Sequence, residues 1–151
     1  MPKNDVDTEY ETRVRSSFAR QKAMETIGAQ LTSVTPGTIE IEMPYSAALT
    51  QQHGFIHAGI ISTALDSACG YAAYSLMPPE AAVLTIEFKL NMLAPGKGER
   101  FLFRGNVTKP GRTIIVADGQ AYAFSADGEA KLIATMTATM MTITGRDGLA
   151  G

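Results

Sequence analysis

Tryptophan is absent, cysteine occurs once and histidine twice among the 151 residues, and charge is sparse, with Asp, Glu, Lys and Arg at 19% and a formal net charge of -2. Each shortage excludes something. The lone Cys69 closes no internal disulfide and forms no C-x-x-C redox or zinc pair. It is expected as a small buried apolar residue. His53 and His57 stand four apart, but without the glutamate of H-E-x-x-H and with one distant acid, so no metal site is expected. A nearly balanced charge supplies no basic field for nucleic acid or anionic lipid, and neither is expected as a partner. Residues 1–20 lack the apolar core of a secretory signal, which makes the cytoplasm the expected location. No serine lies in G-x-S-x-G, and "APGKGER" lacks P-loop spacing.

What is present reads as one domain over 1–151, with flexible ends over 1–12 and 145–151. The run from Arg13 to Ile27 places Val14, Phe18, Met24 and Ile27 at roughly helical spacing and predicts an amphipathic surface helix. "TPGTIEIEM" alternates Ile39, Ile41 and Met43 against Thr38, Glu40 and Glu42, the pattern of a strand with one wet face. "HAGIISTALDSACGYAAYSL", His57 to Leu76, predicts a long helix apolar on nearly every face. It approaches membrane-spanning length but carries Asp66 and several hydroxyls, so it is read as buried in a core.

Beyond "PPE", which stops the helix, four strands follow at short turns. In "VLTIEFKLNML", Leu84, Ile86, Phe88, Leu90 and Met92 share one side and Thr85, Glu87, Lys89 and Asn91 the other. Phe101, Phe103 and Val107 are expected inward on the next strand, and Gly119 marks a candidate bulge on the third. Turns this short force antiparallel pairing. The fold class is therefore α+β, an antiparallel sheet curled around one long central helix, with an N-terminal surface helix.

Between Glu42 and Glu80 the only formally charged side chain at neutral pH is Asp66. An ionised carboxylate in so dry a segment costs several kcal/mol unless it is paired, hydrogen-bonded or protonated. Ser62, four residues earlier on the same face, could satisfy it structurally. The alternative is chemistry. "TQQHGFIHAG" delivers Gln51, His53 and His57 to the helix N-terminus, where the first N–H groups, near Ala58 and Gly59, lack intrahelical partners and can hold a developing oxyanion. Taken singly, Gly54 and Gly59 also fit turn geometry and His57 a capping role. Asp66 follows His57 by nine residues, about two and a half helical turns, so one chain does not bring the two together. A dimer could.

These residues carry a resemblance. "QQHGFIHAGIISTALDSACG" resembles the N-x-x-G-x-x-H-G-G motif and helix aspartate of hotdog-fold thioesterases, nearest to the PaaI-type, phenylacetic-acid-degradation group. It extends through "VLTIEFKLNMLAPGKGE", "VTKPGRTIIVADGQAY" and "AKLIATMTATM", roughly Met43 to Thr142. The resemblance implies hydrolysis of acyl-coenzyme A, aromatic or of short to medium chain, with Asp66 as nucleophile or general base. It puts the carbonyl-polarising N–H on Ala58 with Gly59 beside it, the motif histidine on His57, the asparagine position on Gln51 and a placing hydroxyl on Thr85. It also implies a site shared across a dimer, with tetramers common, and no cofactor, coenzyme A being part of the substrate.

Two positions depart from the pattern: Gln51 is one methylene longer than asparagine, and Ala58 adds a Cβ where the acyl group approaches. A third tension is that Thr85 lies on the polar face of its strand. For the coenzyme A phosphates the basic turn Lys109, Gly111 and Arg112 is the candidate, with Lys97 and Arg100 near in sequence, against a plain solvated turn. Phe55, Tyr71, Tyr74 and Met77 either line an aromatic-accepting pocket or fill the core. The rival functions are a hotdog dehydratase or hydratase and a non-catalytic acyl-coenzyme A sensor.

Overall fold

The computed structural model describes residues 9–151. Two short helices, α1 (Glu9–Arg20) and α2 (Lys22–Ile27), lead into β1 (Gln30–Thr35) and β2 (Thr38–Pro44). The long helix α3 (Ala58–Tyr74) follows, then β3 (Ala82–Met92), β4 (Arg100–Lys109), β5 (Ile114–Phe124) and β6 (Ala130–Ile143). All strands join one antiparallel sheet in the order β1-β2-β4-β5-β6-β3, so β3 leaves its sequence neighbour and closes the far edge. The five strands from β2 to β6 all pack against α3, which is the hotdog arrangement.

Helix formation at α3 follows from its composition of Ala, Ile and Leu with small polar residues, and its burial from the absence of any wet stripe wide enough to face solvent. Ile61, Ala64, Leu65, Ala68, Cys69 and Ala72 are fully buried. The sheet answers with Ile39, Ile41, Met43, Phe101 and Phe103 from β2 and β4. Two glycines let the backbones approach. A Cβ at Gly105 would stand 2.3 Å from the Ala68 carbonyl oxygen, and one at Gly119 would stand 3.0 Å from Cys69 Sγ. Gly119 is therefore no bulge: it pairs in register with Gly105 and leaves room for α3. Because α3 backbone cannot yield, Gly105→Ala should destabilise by about 3 kcal/mol. Thermal melting of that variant beside wild type checks it.

Several expectations are corrected. The N-terminal helix starts at Glu9, so 9–12 are not a flexible end, while 1–8 lie outside the described residues. It breaks at Gln21, which is extended (φ -81, ψ 97), into α1 and α2, whose Val14, Met24 and Ile27 are core rather than surface. The segment 145–151 turns back onto the fold. Its Leu149 to Gly151 line a cleft beside α1 and α3, where the Arg20 guanidinium donates to the Gly151 carbonyl.

The largest departure from a simple alternation is in β3. Leu84, Ile86, Phe88 and Met92 do not enter the core: Ile86 is 52% and Leu84 47% exposed. The strand also carries a bulge between Thr85 and Glu87. Residues paired across two strands share a face. Thr85 opposes the inward Met140, and Phe88 and Leu90 oppose Ala138 and Met136, also inward. The extra residue, Ile86, thus resets the alternation, and Thr85 turns toward α3 despite its place on the polar side of the sequence pattern.

Candidate active site

The loop before α3 is held from both sides. Ile56 bridges Thr50 and Gly96, its N–H donating to the Gly96 carbonyl at 2.9 Å, and Gly54 makes the turn between (φ 82). His57 caps the helix: its Nδ1 accepts from the Gly59 N–H at 2.8 Å. That bond engages Gly59 within the chain. The Ala58 N–H, one position earlier, is exposed and donates to nothing in the described residues. The Gln51 side-chain carbonyl accepts from the His53 N–H. Gln51, Phe55 and Ala58 then wall one side of a cleft of about 420 Å³ whose other wall is Met92 to Gly96.

Asp66 sits two turns further on, in a different cleft of about 370 Å³. Its Oδ1 accepts from Thr85 Oγ1 at 2.8 Å. Burial pushes the carboxyl above the ordinary aspartate range, and the Thr85 hydrogen bond pulls the other way without cancelling it. Ser62 does not serve Asp66: its hydroxyl donates to the Gly59 carbonyl at 2.9 Å. The structural account of Asp66 therefore reduces to one threonine, too little for a desolvated carboxylate that makes no ion pair among the described residues.

The two groups that the sequence pairs with one chemistry are thus split. Asp66 and Thr85 share one cleft, Gln51 and Ala58 another, and neither of these two clefts holds both pairs. Cys69 is buried, and burial with the nearby Asp66 and Asp118 charges pushes its thiol up to about 12, so it is no nucleophile. Among the described residues no group of three or more His, Cys, Asp or Glu gathers to hold a metal, and no helix is long and apolar enough to cross a membrane.

Sequence reasoning missed the outer wall of the Asp66 cleft. Ser17 and Gln21 reach it from the stretch expected only as an amphipathic surface helix: Ser67 Oγ donates to Gln21 Oε1 at 3.0 Å, and the Ser17 and Tyr71 hydroxyls meet at 3.1 Å. Of the aromatic candidates, Phe55 and Tyr71 line clefts while Tyr74 and Met77 are core.

The basic turn lies between β4 and β5. Lys109 and Arg112 are exposed and make no ion pair among the described residues, and Gly111 is required by the turn, since a Cβ there would stand 2.0 Å from the Ile114 carbonyl oxygen. Thr113 accepts from the Thr142 N–H at 2.8 Å, and Thr142 pairs with Val83, so this turn stands at the same sheet end as Thr85. A larger cleft of about 550 Å³ opens elsewhere, between Lys97–Glu99 and Ser125–Lys131, but it gathers no acid–base pair with a positioned donor. Size alone does not make it the reactive one.

Comparison with known proteins fits this geometry. Residues 53–127 match the model of the thioesterase superfamily. A crystal structure of a thioesterase family protein from Silicibacter pomeroyi is 63% identical, covers 90% of this chain and 99% of its own, and superimposes with a TM-score of 0.88. A Saccharolobus solfataricus protein with a provisional esterase name is 27% identical over 85% of this chain and 82% of its own length. The E. coli PaaI protein of the phenylacetic acid degradation operon shares the fold, with a TM-score of 0.79 at 18% identity over 91% of this chain and 95% of its own.

Proposed function

Because this chain belongs to the thioesterase superfamily and is a thioester hydrolase, we propose that it hydrolyses acyl-coenzyme A with Asp66 as the reacting carboxylate. The observation that carries this is the Asp66–Thr85 pair: a half-buried carboxylate in an open cleft, raised by desolvation and aimed by one hydroxyl. Desolvation makes the ionised form a stronger base than in water, and Thr85 fixes its direction.

The reaction needs a second part, and β3 supplies the route to it. Its outer edge is unpaired, and Leu84, Ile86, Phe88, Met92 and Leu93 are exposed along it, a combination that soluble folds otherwise avoid. A second copy pairing antiparallel to this edge about a two-fold axis at Phe88 would, with the bulged Ile86 left unpaired, set its Met92 against Val83 here. Met92 lines the Ala58 cleft and Val83 the Asp66 cleft, so the same pairing fuses one cleft from each subunit, twice. The partner's Ala58 then offers its unpartnered N–H, at the positive end of α3, to the thioester oxygen facing Asp66.

In the water route, Asp66 takes a proton from water, the oxygen adds to the thioester carbon, and the negative charge moves to the carbonyl oxygen under the partner's Ala58 N–H. Collapse breaks the C–S bond, and the thiolate regains a proton. In the direct route the carboxylate itself adds, collapse breaks the C–S bond and expels the thiolate, which takes up a proton, and water cleaves the resulting mixed anhydride to the free acid and Asp66. Both begin from the same ionised Asp66. Gln51, through its free amide N–H₂, and His57, by capping the helix that presents Ala58, complete the oxyanion side. Lys109 and Arg112, held on the turn that Gly111 permits, are placed to meet phosphates.

Aromatic or short to medium acyl groups fit a cleft of about 370 Å³, and the shared fold with a phenylacetic acid operon protein supports the aromatic branch. No cofactor is needed by either route. The cytoplasm, where acyl-coenzyme A is made and used, is the proposed location, with a dimer as the minimal active unit and a tetramer as its natural doubling.

Release of free thiol from acetyl-, hexanoyl-, benzoyl- and phenylacetyl-coenzyme A tests the reading. Turnover of at least one is expected; no turnover of any thioester, with tight binding instead, would replace the enzyme by an acyl-coenzyme A sensor. Thr85→Val removes the only hydrogen bond that lowers Asp66, so its carboxyl should rise further. The acid limb of the kcat/KM profile should then move to higher pH, with kcat at neutral pH down about tenfold. An unmoved limb would mean that Asp66 is not the group titrating.

A further inference from the structure

Gly70 lies inside α3 four residues after Asp66, on the same helix face and in the same cleft. A helix-interior glycine is less favourable than alanine, so such a position usually carries a packing reason. Here there is none. A Cβ on Gly70 would meet only Met140 Cε, at 4.0 Å, an ordinary contact with the far end of a flexible side chain. Gly105 and Gly119, by contrast, are demanded by neighbours at 2.3 and 3.0 Å. Gly70 is the buried glycine of the central helix that the chain's own packing does not require, and the space it leaves opens beside the proposed reacting carboxylate.

Beyond Gly70 the cleft is closed by the segment that leaves β6. Gly145 and Gly148 take left-handed conformations (φ 69 and 80) with open space around them, which lets the chain turn out of the sheet and back across α1. Arg20 anchors its end by donating to the Gly151 carbonyl, and Leu149 to Gly151 form the wall.

We infer that the acyl group of the substrate runs from Asp66 across Gly70 and stops at Leu149–Gly151, so that Gly70 and this strap set which acyl groups are accepted. This rests on the thioesterase reading above and adds the path and the length limit to it. Acetyl, which ends before Gly70, is indifferent to a methyl group there; a hexanoyl or phenylacetyl group has to pass it.

The test is a pair of variants with opposite expected effects. Gly70→Ala should lower the ratio of kcat/KM for hexanoyl- to acetyl-coenzyme A at least tenfold. Its melting temperature should stay level or rise by about 1–4 °C from helix propensity alone. Deleting 145–151 should raise the ratio for decanoyl- to hexanoyl-coenzyme A at least tenfold. A Gly70→Ala ratio within twofold of wild type overturns the inference, as does a fall accompanied by a lower melting temperature or a lost dimer, which would make Gly70 structural. An unchanged decanoyl ratio overturns the strap. The same thioesters are titrated calorimetrically in an Asp66→Asn background, so the path is judged without turnover. If no thioester is hydrolysed but hexanoyl binding still weakens tenfold in Gly70→Ala, the catalytic reading falls and the path stands. Equal hexanoyl binding in the two backgrounds overturns the path itself.

Discussion

Asp66→Asn should lower kcat for thioester hydrolysis about 10³-fold, roughly 4 kcal/mol of barrier, while acyl-coenzyme A binds within a few-fold of wild type. The amide oxygen of asparagine still accepts from Thr85 Oγ1, so the cleft keeps its shape and only the negative charge is removed. A loss confined to kcat is therefore a loss of chemistry. Stability should move the other way. Burial raises the folded-state Asp66 above the ordinary aspartate value of 3.8, so the folded chain holds more proton than the unfolded one between that value and the raised one. Stability consequently falls as pH rises through that window and stays lower above it, because the charged form is the disfavoured one. Asp66→Asn removes this penalty and should melt higher than wild type at pH 7, with the gap closing as pH falls below the window. Thiol release, calorimetric binding and thermal melts at pH 4 and 7 decide it. A variant that keeps full kcat, or that melts lower at neutral pH, would return Asp66 to being a structural acid.

That opposition explains how the acid could be picked out before any fold was known. A residue that destabilises the helix holding it stands out against Ile61, Ala64, Leu65 and Ala68, and Ser62, the sequence neighbour that offered compensation, donates to the Gly59 carbonyl instead. The strands β2, β4, β5 and β6 were legible for a related reason, since one wet and one dry face leave a period of two in Ile39, Ile41 and Met43 or in Phe101 and Phe103. Where the period is broken the reading failed. β1 has a bulge between Leu31 and Ser33 and no clean alternation, and the bulge at Ile86 in β3 involves no glycine or proline that would signal it. The alternation of β3 gave its apolar residues a common side but not what covers it, because nothing in one chain's sequence tells a core strand from an edge that another copy could cover. The cleft walls from Ser17, Gln21 and Leu149–Gly151 were invisible for a topological reason: they lie between 40 and 90 residues from Asp66, and only the folded sheet brings them to it. Thr85 came through family resemblance alone, and the Ile86 bulge is what makes that assignment physically possible.

Ala58→Pro should be as damaging as Asp66→Asn is on its own side of the site, and the two defects should repair each other. Proline at the first helical position is tolerated because that N–H has no intrahelical partner, and His57, at φ -59 and ψ 136, already has the extended conformation that a residue before proline adopts. The substitution thus deletes the exposed Ala58 N–H and little else, at an expected loss of about 10²- to 10³-fold in kcat for a missing oxyanion donor. If each site combines Asp66 of one subunit with the N–H of the other, then unfolding and refolding an equal mixture of the two inactive variants produces heterodimers. In these, one site carries both defects and the other carries none. With random pairing half the dimers are mixed and half their sites intact, so activity should recover to about a quarter of wild type. A site contained within one chain would leave every subunit defective and recover nothing. Adding Phe88→Lys to either variant places a charge at the centre of the β3 edge, where pairing would bring two copies face to face. Sedimentation should then show monomers, and the recovered quarter should vanish with the dimer that carries it.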